Sequence, residues 1–116
     1  MWLITTTGFY SIVQKPWDEE GGTLTVRARA KADLGALRSA GLPELGEVKE
    51  DTDADYRFRA QAPCAAVSRA VQAQVDAIDY DNFKSAVAKR QGSARAHIYH
   101  DVWDALYRIQ AQSKLP

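Results

Sequence analysis

The chain has two histidines, and each has an aspartate four residues further on: His97 with Asp101, and His100 with Asp104. On a helix that spacing sets both pairs along one stripe, and imidazole with carboxylate makes a usable metal shell. A metal-dependent hydrolase centred on His97, His100, Asp101 and Asp104 needs further ligands, which only the fold can bring from Asp51, Asp53 or Asp55. The same residues also read as ordinary ion pairs on a wet helix face, worth roughly a few tenths of a kcal/mol each. No paired-cysteine ligand spacing accompanies them.

Other chemistry fails on its own pattern. The run Asp51-Thr52-Asp53-Ala54-Asp55 begins like a calcium loop, but its sixth position is Tyr56 rather than glycine and its twelfth is Ala62 rather than glutamate. Cys64 follows Pro63 at a helix start, where backbone N–H groups lower a thiol pKa, yet nothing ties a histidine to it. A lone cysteine also packs well as a small hydrophobe. Gly21-Gly22 lacks the Lys-Ser/Thr that completes a phosphate loop. No catalytic residue is assigned, and no cofactor is expected.

Arg27, Arg29 and Lys31 alternate along one segment, and Arg57 and Arg59 along another. If both are strands and they pair, Arg27, Arg29, Arg57 and Arg59 form a basic sheet face that can hold single-stranded nucleic acid, with Tyr10 as a stacking ring. Against this, Lys plus Arg total 15 and Asp plus Glu total 15, so a general basic excess is excluded. Long charged side chains also simply coat wet sheet faces.

Partner binding has two candidate segments. Tyr80, Asn82, Phe83 and Lys84 sit where two helices meet, a place that presents backbone donors and orients polar groups. There the structural alternative has Asp81 capping the helix and Tyr80 and Phe83 anchoring its entry. Trp103 and Tyr107 lie on the last helix, and aromatic residues are enriched at binding hot spots. Their alternative is a place in the core.

The elements that must position these groups follow from periodicity. Residues 2–14 alternate as half-buried strands do, with Gly8 marking a bulge or turn. Leu24, Val26, Ala28 and Ala30 alternate with polar residues, which predicts a strand with one buried face. Asp33 is placed to cap a short helix ended by Gly41 and Pro43. Residues 46–50 suit a strand before the acidic loop. In the next strand Tyr56, Phe58 and Ala60 face one way, and Arg57, Arg59 and Gln61 the other. Pro63 suits the first turn of a helix with a stripe of Val67, Val71, Val75 and Ile78. Asp81 and Ser93 are placed to cap two more helices, separated at Gly92. The expected fold is α+β: a mainly antiparallel sheet of four or five strands in the N-terminal half, covered on one face by helices from mostly the C-terminal half.

A chain of 116 residues suits a single domain, here residues 1–116, with enough core to fold without disulfide or metal. One cysteine excludes an intramolecular disulfide, and no run approaches ~20 apolar residues. Met1 to Thr7 lacks the basic start of a signal peptide. These features point to the cytoplasm, with no membrane partner.

Four segments together carry a resemblance: Gly8-Phe9-Tyr10-Ser11-Ile12-Val13; Asp53-Ala54-Asp55-Tyr56-Arg57-Phe58-Arg59; Asp79-Tyr80-Asp81-Asn82-Phe83-Lys84-Ser85-Ala86-Val87; and His100-Asp101-Val102-Trp103-Asp104-Ala105-Leu106-Tyr107. The combination resembles a set of small bacterial proteins of about this length. That likeness implies a bacterial cytosolic origin and carries over no activity, ligand or site. The sequence thus leads to a non-enzymatic interaction or regulatory module, binding a protein partner or a second copy of itself. Nucleic-acid binding through the arginines is the alternative, and the metal-dependent hydrolase the third reading.

Overall fold

Alternating residues and a tight turn build the first hairpin. Strand β1 (Trp2–Ile4) turns through Thr5–Gly8 into β2 (Phe9–Val13), and Ser11 pairs with Trp2. The Thr5 hydroxyl accepts from the N–H groups of Thr7 and Gly8, which closes the turn. A single 3-10 turn (Pro16–Asp18) then leads to β3 (Thr23–Ala28). Helix α1 (Lys31–Ala40) follows, and then the two-residue β4 (Lys49–Glu50), β5 (Phe58–Pro63) and α2 (Cys64–Asp76). Helices α3 (Phe83–Gln91) and α4 (Ser93–Gln112) complete the chain in this computed structural model, which describes residues 1–112.

The five strands form one antiparallel sheet in the order β1-β2-β3-β5-β4. The fold is α+β, with the sheet in the N-terminal half and most helices after it. The chain groups into two compact units that divide after Asp79. In the first, Tyr10, Ile12, Val26, Ala28, Ala60 and Ala62 occupy one sheet face and join Leu34 and Leu37 of α1 and Ala66, Val67 and Ala70 of α2 in the core. Burying each larger side chain contributes roughly 1.5–3 kcal/mol. In the second unit α3 and α4 pack together, with Phe83 stacked on Tyr99 at 6.0 Å between ring centroids. Among the described residues no helix is long and apolar enough to cross a membrane.

Several local assignments differ from the sequence expectation. Ser93 is the first residue of α4 rather than the cap before it. Of the stripe expected on α2, Val75 and Ile78 are exposed, and Ile78 lies beyond the end of the helix, because the buried side is carried by Ala66, Val67 and Ala70. Asp33 lies inside the first turn of α1 and is buried; the residue before the helix is Ala30, which has no capping side chain. The Asp33 carboxylate instead accepts the Phe9 N–H at 3.0 Å, and its carbonyl accepts the Tyr10 hydroxyl at 2.7 Å, so it ties α1 to β2. Pro63 ends β5 and precedes α2 rather than occupying its first turn. Asn82, not Asp81, caps α3, its side-chain oxygen accepting the Ser85 N–H at 2.9 Å.

Candidate functional site

Sheet register decides the arrangement of the arginines. Directly opposed residues of an antiparallel pair share a face. Trp2 opposes Ser11, Ser11 opposes Arg27, Arg27 opposes Arg59, and Arg59 opposes Lys49. These five residues form one row across the whole sheet, on the face away from α1 and α2. The Arg27 guanidinium donates to Ser11 Oγ at 2.7 Å and lies 4.6 Å from the Tyr56 ring centroid. Arg59 donates to the Tyr56 carbonyl at 3.2 Å. The Nε atoms of both arginines are buried without a hydrogen-bond partner among the described residues.

The other two arginines are occupied. Arg29 stacks on the same Tyr56 ring at 4.5 Å and donates to the Asp55 carbonyl at 2.9 Å. Arg57 pairs with Glu50 at 2.8 Å. Tyr56 itself is buried, and its ring packs with Phe9 and the arginines, not with Phe58 and Ala60. It precedes β5, so strand alternation does not reach it.

The aromatic side chains of this face are not the expected one. Tyr10 belongs to the core and is wholly buried. The exposed rings are Trp2, 67% exposed, and Trp17, 56% exposed. Trp2 makes an edge contact with Phe9 at 5.8 Å. Trp17 donates from Nε1 to Thr25 Oγ1 at 3.0 Å, and Thr25 lies on the same face as Arg27, two residues along β3.

Beneath Trp17 lies a buried carboxylate that sequence reasoning missed. Asp18 accepts from the Lys15 N–H at 2.8 Å, the Thr23 hydroxyl at 2.6 Å, the Thr25 hydroxyl at 2.8 Å and the Gln61 amide at 2.8 Å. Burial by itself raises the pKa of this carboxyl. The hydrogen bonds from Thr23, Lys15, Gln61 and Thr25 outweigh that and lower it from 3.8 to about 2. Asp18 therefore stays ionised with no cationic partner among the described residues and pins the Pro16–Asp18 turn onto the sheet. Its partners at Thr25 and Gln61 are directly opposed across β3 and β5, a relation absent from sequence spacing.

The α3–α4 unit collects the remaining candidates. Lys84 Nζ lies 2.8 Å from His100 Nδ1 and 5.1 Å from the Trp103 ring. An ammonium only donates, so Nδ1 accepts and the His100 proton sits on Nε2. That nitrogen lies 3.5 Å from Asp104 Oδ2. The His100 ring stacks on Trp103 at 5.6 Å, and Trp103 contacts Tyr107 at 5.4 Å. Tyr80 contacts Phe83 at 6.0 Å. Lys84 is thus bound within the unit rather than merely solvated. His97 and Asp101 are exposed. Among the described residues no three of His, Cys, Asp and Glu are grouped to hold a metal ion. A metal on His100 Nδ1 would first have to displace the Lys84 ammonium.

Helix α4 presents a broad apolar surface. Ile98, Trp103, Leu106, Tyr107 and Ile109 are all at least half exposed, while Tyr99 is buried. Cys64 is an exposed free thiol at the start of α2.

No protein-family model, curated protein or solved structure matches the chain.

Proposed function

We propose that the protein is a non-catalytic interaction module of the bacterial cytosol that acts as a homodimer, pairing through α4. The observation that carries this is the exposed row Trp103, Leu106, Tyr107 and Ile109 on one helix. Apolar patches of that kind on a soluble chain mark interaction sites, and tryptophan and tyrosine are favoured anchors there.

A second copy fits this helix by charge as well as by shape. Antiparallel pairing about a two-fold axis at Leu106 sets residue i against residue 212 minus i. Leu106 then meets Leu106, Trp103 meets Ile109, and Asp104 lies beside Arg108 of the other copy. Such an interface is self-complementary, as two-fold symmetry requires. Zero formal net charge leaves no overall repulsion between the copies.

Light scattering coupled to size exclusion tests the reading. The native protein is expected to elute with twice the chain mass. Leu106→Glu, which sets two carboxylates against each other at the axis, is expected to give a folded monomer. A native protein that stays monomeric at every concentration examined, or a Leu106→Glu variant that stays dimeric, overturns it.

A further inference from the structure

We infer that the open face of the sheet binds single-stranded nucleic acid, with one backbone phosphate held between Arg27 and Arg59 and bases stacked on Trp2 and Trp17. This site lies in the first unit and does not depend on α4.

Like charges set directly opposite on paired strands repel each other. Here both are arginines, and among the described residues neither has a carboxylate partner. Each guanidinium offers five N–H donors, and among the described residues each makes a single side-chain hydrogen bond. Both Nε donors remain buried and unpaired. An oxyanion between the two removes the repulsion, and phosphate geometry matches the terminal N–H pair of a guanidinium, the buried Nε atoms staying out of its reach. The pair is also held in advance. Arg27 is fixed by Ser11 and the Tyr56 ring, and Arg59 by the Tyr56 carbonyl, so little side-chain freedom remains to be lost on binding.

The aromatic rings single out nucleic acid among phosphate ligands. Trp2 stands two strands from Arg27 along the same row, about 10 Å by strand spacing. Trp17 is anchored at Thr25, one same-face step of about 7 Å along β3 from Arg27. Both distances suit a base one or two nucleotides from a bound phosphate. Exposed indoles stack on any base, which gives affinity with little sequence preference. Lys49 extends the cationic row beyond Arg59, while Arg29 and Arg57 are held by the Asp55 carbonyl and by Glu50. The Asp51 N–H bonds the Arg57 carbonyl and the Asp55 carbonyl accepts from Arg29, so this acidic loop joins the sheet at that end and limits the track to a few phosphates. A small footprint is what a chain of zero net charge can support.

Fluorescence anisotropy with labelled single-stranded DNA and RNA of mixed sequence, at low salt, is the test. Native protein is expected to bind both, to weaken as salt rises, and to show quenched tryptophan emission. Arg59→Met, checked for folding by circular dichroism, is expected to lose roughly tenfold or more in affinity, and Trp17→Leu several-fold. Inorganic phosphate and a nucleoside monophosphate serve as competitors and are expected to displace the oligonucleotide only weakly. Absence of binding by folded native protein overturns the inference. So does binding unchanged by Arg59→Met, or equal affinity for free phosphate with no effect of Trp17→Leu, which would mark a site for a small anion instead.

Discussion

Arg27 and Arg59 stand directly opposite each other on β3 and β5, on the face of the sheet away from the core. Two guanidinium groups share that position and their buried Nε atoms find no acceptor among the described residues, an arrangement that costs stability. Arg59→Met removes one charge and keeps an unbranched apolar stem against the strand. Chemical denaturation is expected to show a variant as stable as the native protein, or more stable by up to about 1 kcal/mol. A loss of several kcal/mol would mean that the pair is structural.

Asp18 makes the fold sensitive to acid. Its carboxyl titrates near 3.8 in the unfolded chain and at about 2 in the folded one. The unfolded chain takes up the proton first, so the contribution is present in full above 3.8 and is lost as the pH falls toward 2. Its size at neutral pH is roughly 2 kcal/mol. Asp18→Asn is expected to lower stability at neutral pH and to flatten the decline on the acid side, as read from urea midpoints across that range.

Gly8 permits the approach of α1 to the first hairpin. A Cβ there would lie 2.8 Å from Asp33 Cγ and 2.8 Å from the Tyr10 hydroxyl oxygen, two groups that tie α1 to β2. Gly8→Ala is expected to cost roughly 1–3 kcal/mol. The measurement is the midpoint of thermal unfolding, and an unchanged midpoint would show that the hairpin shifts freely.

Asn82 closes the first turn of α3 through Ser85. Asn82→Ala is expected to cost about 1 kcal/mol, and Asn82→Asp to retain most of the cap. Hydrogen exchange at the N-terminal amides of α3 should quicken in the first variant and not in the second.

Apolar periodicity alone determined the element types. Leu24, Val26 and Ala28 alternate because one face of β3 is buried, and Val67 and Ala70 recur at helical spacing because α2 buries one side. An α+β order with an antiparallel sheet followed from those local patterns. Local chemistry was less decisive at the ends of elements. Asp33 and Asp81 both looked like caps, yet Asp33 went to a long-range bond with Phe9 and the cap of α3 fell one residue later, at Asn82.

Only the tertiary structure decided which residues share a site. The pairing of β3 with β5 brought Arg27 to Arg59, 32 positions apart in the chain (the difference of their numbers), and gathered Thr23, Thr25 and Gln61 around Asp18. The register of β1 and β2 set Tyr10 in the core and Trp2 on the open face, and the Pro16–Asp18 turn brought Trp17 to Thr25. A strand's own sequence records that it has two faces. Which strand lies beside it, and in what register, depends on the packing of the whole sheet against α1 and α2, and no spacing along the chain encodes that.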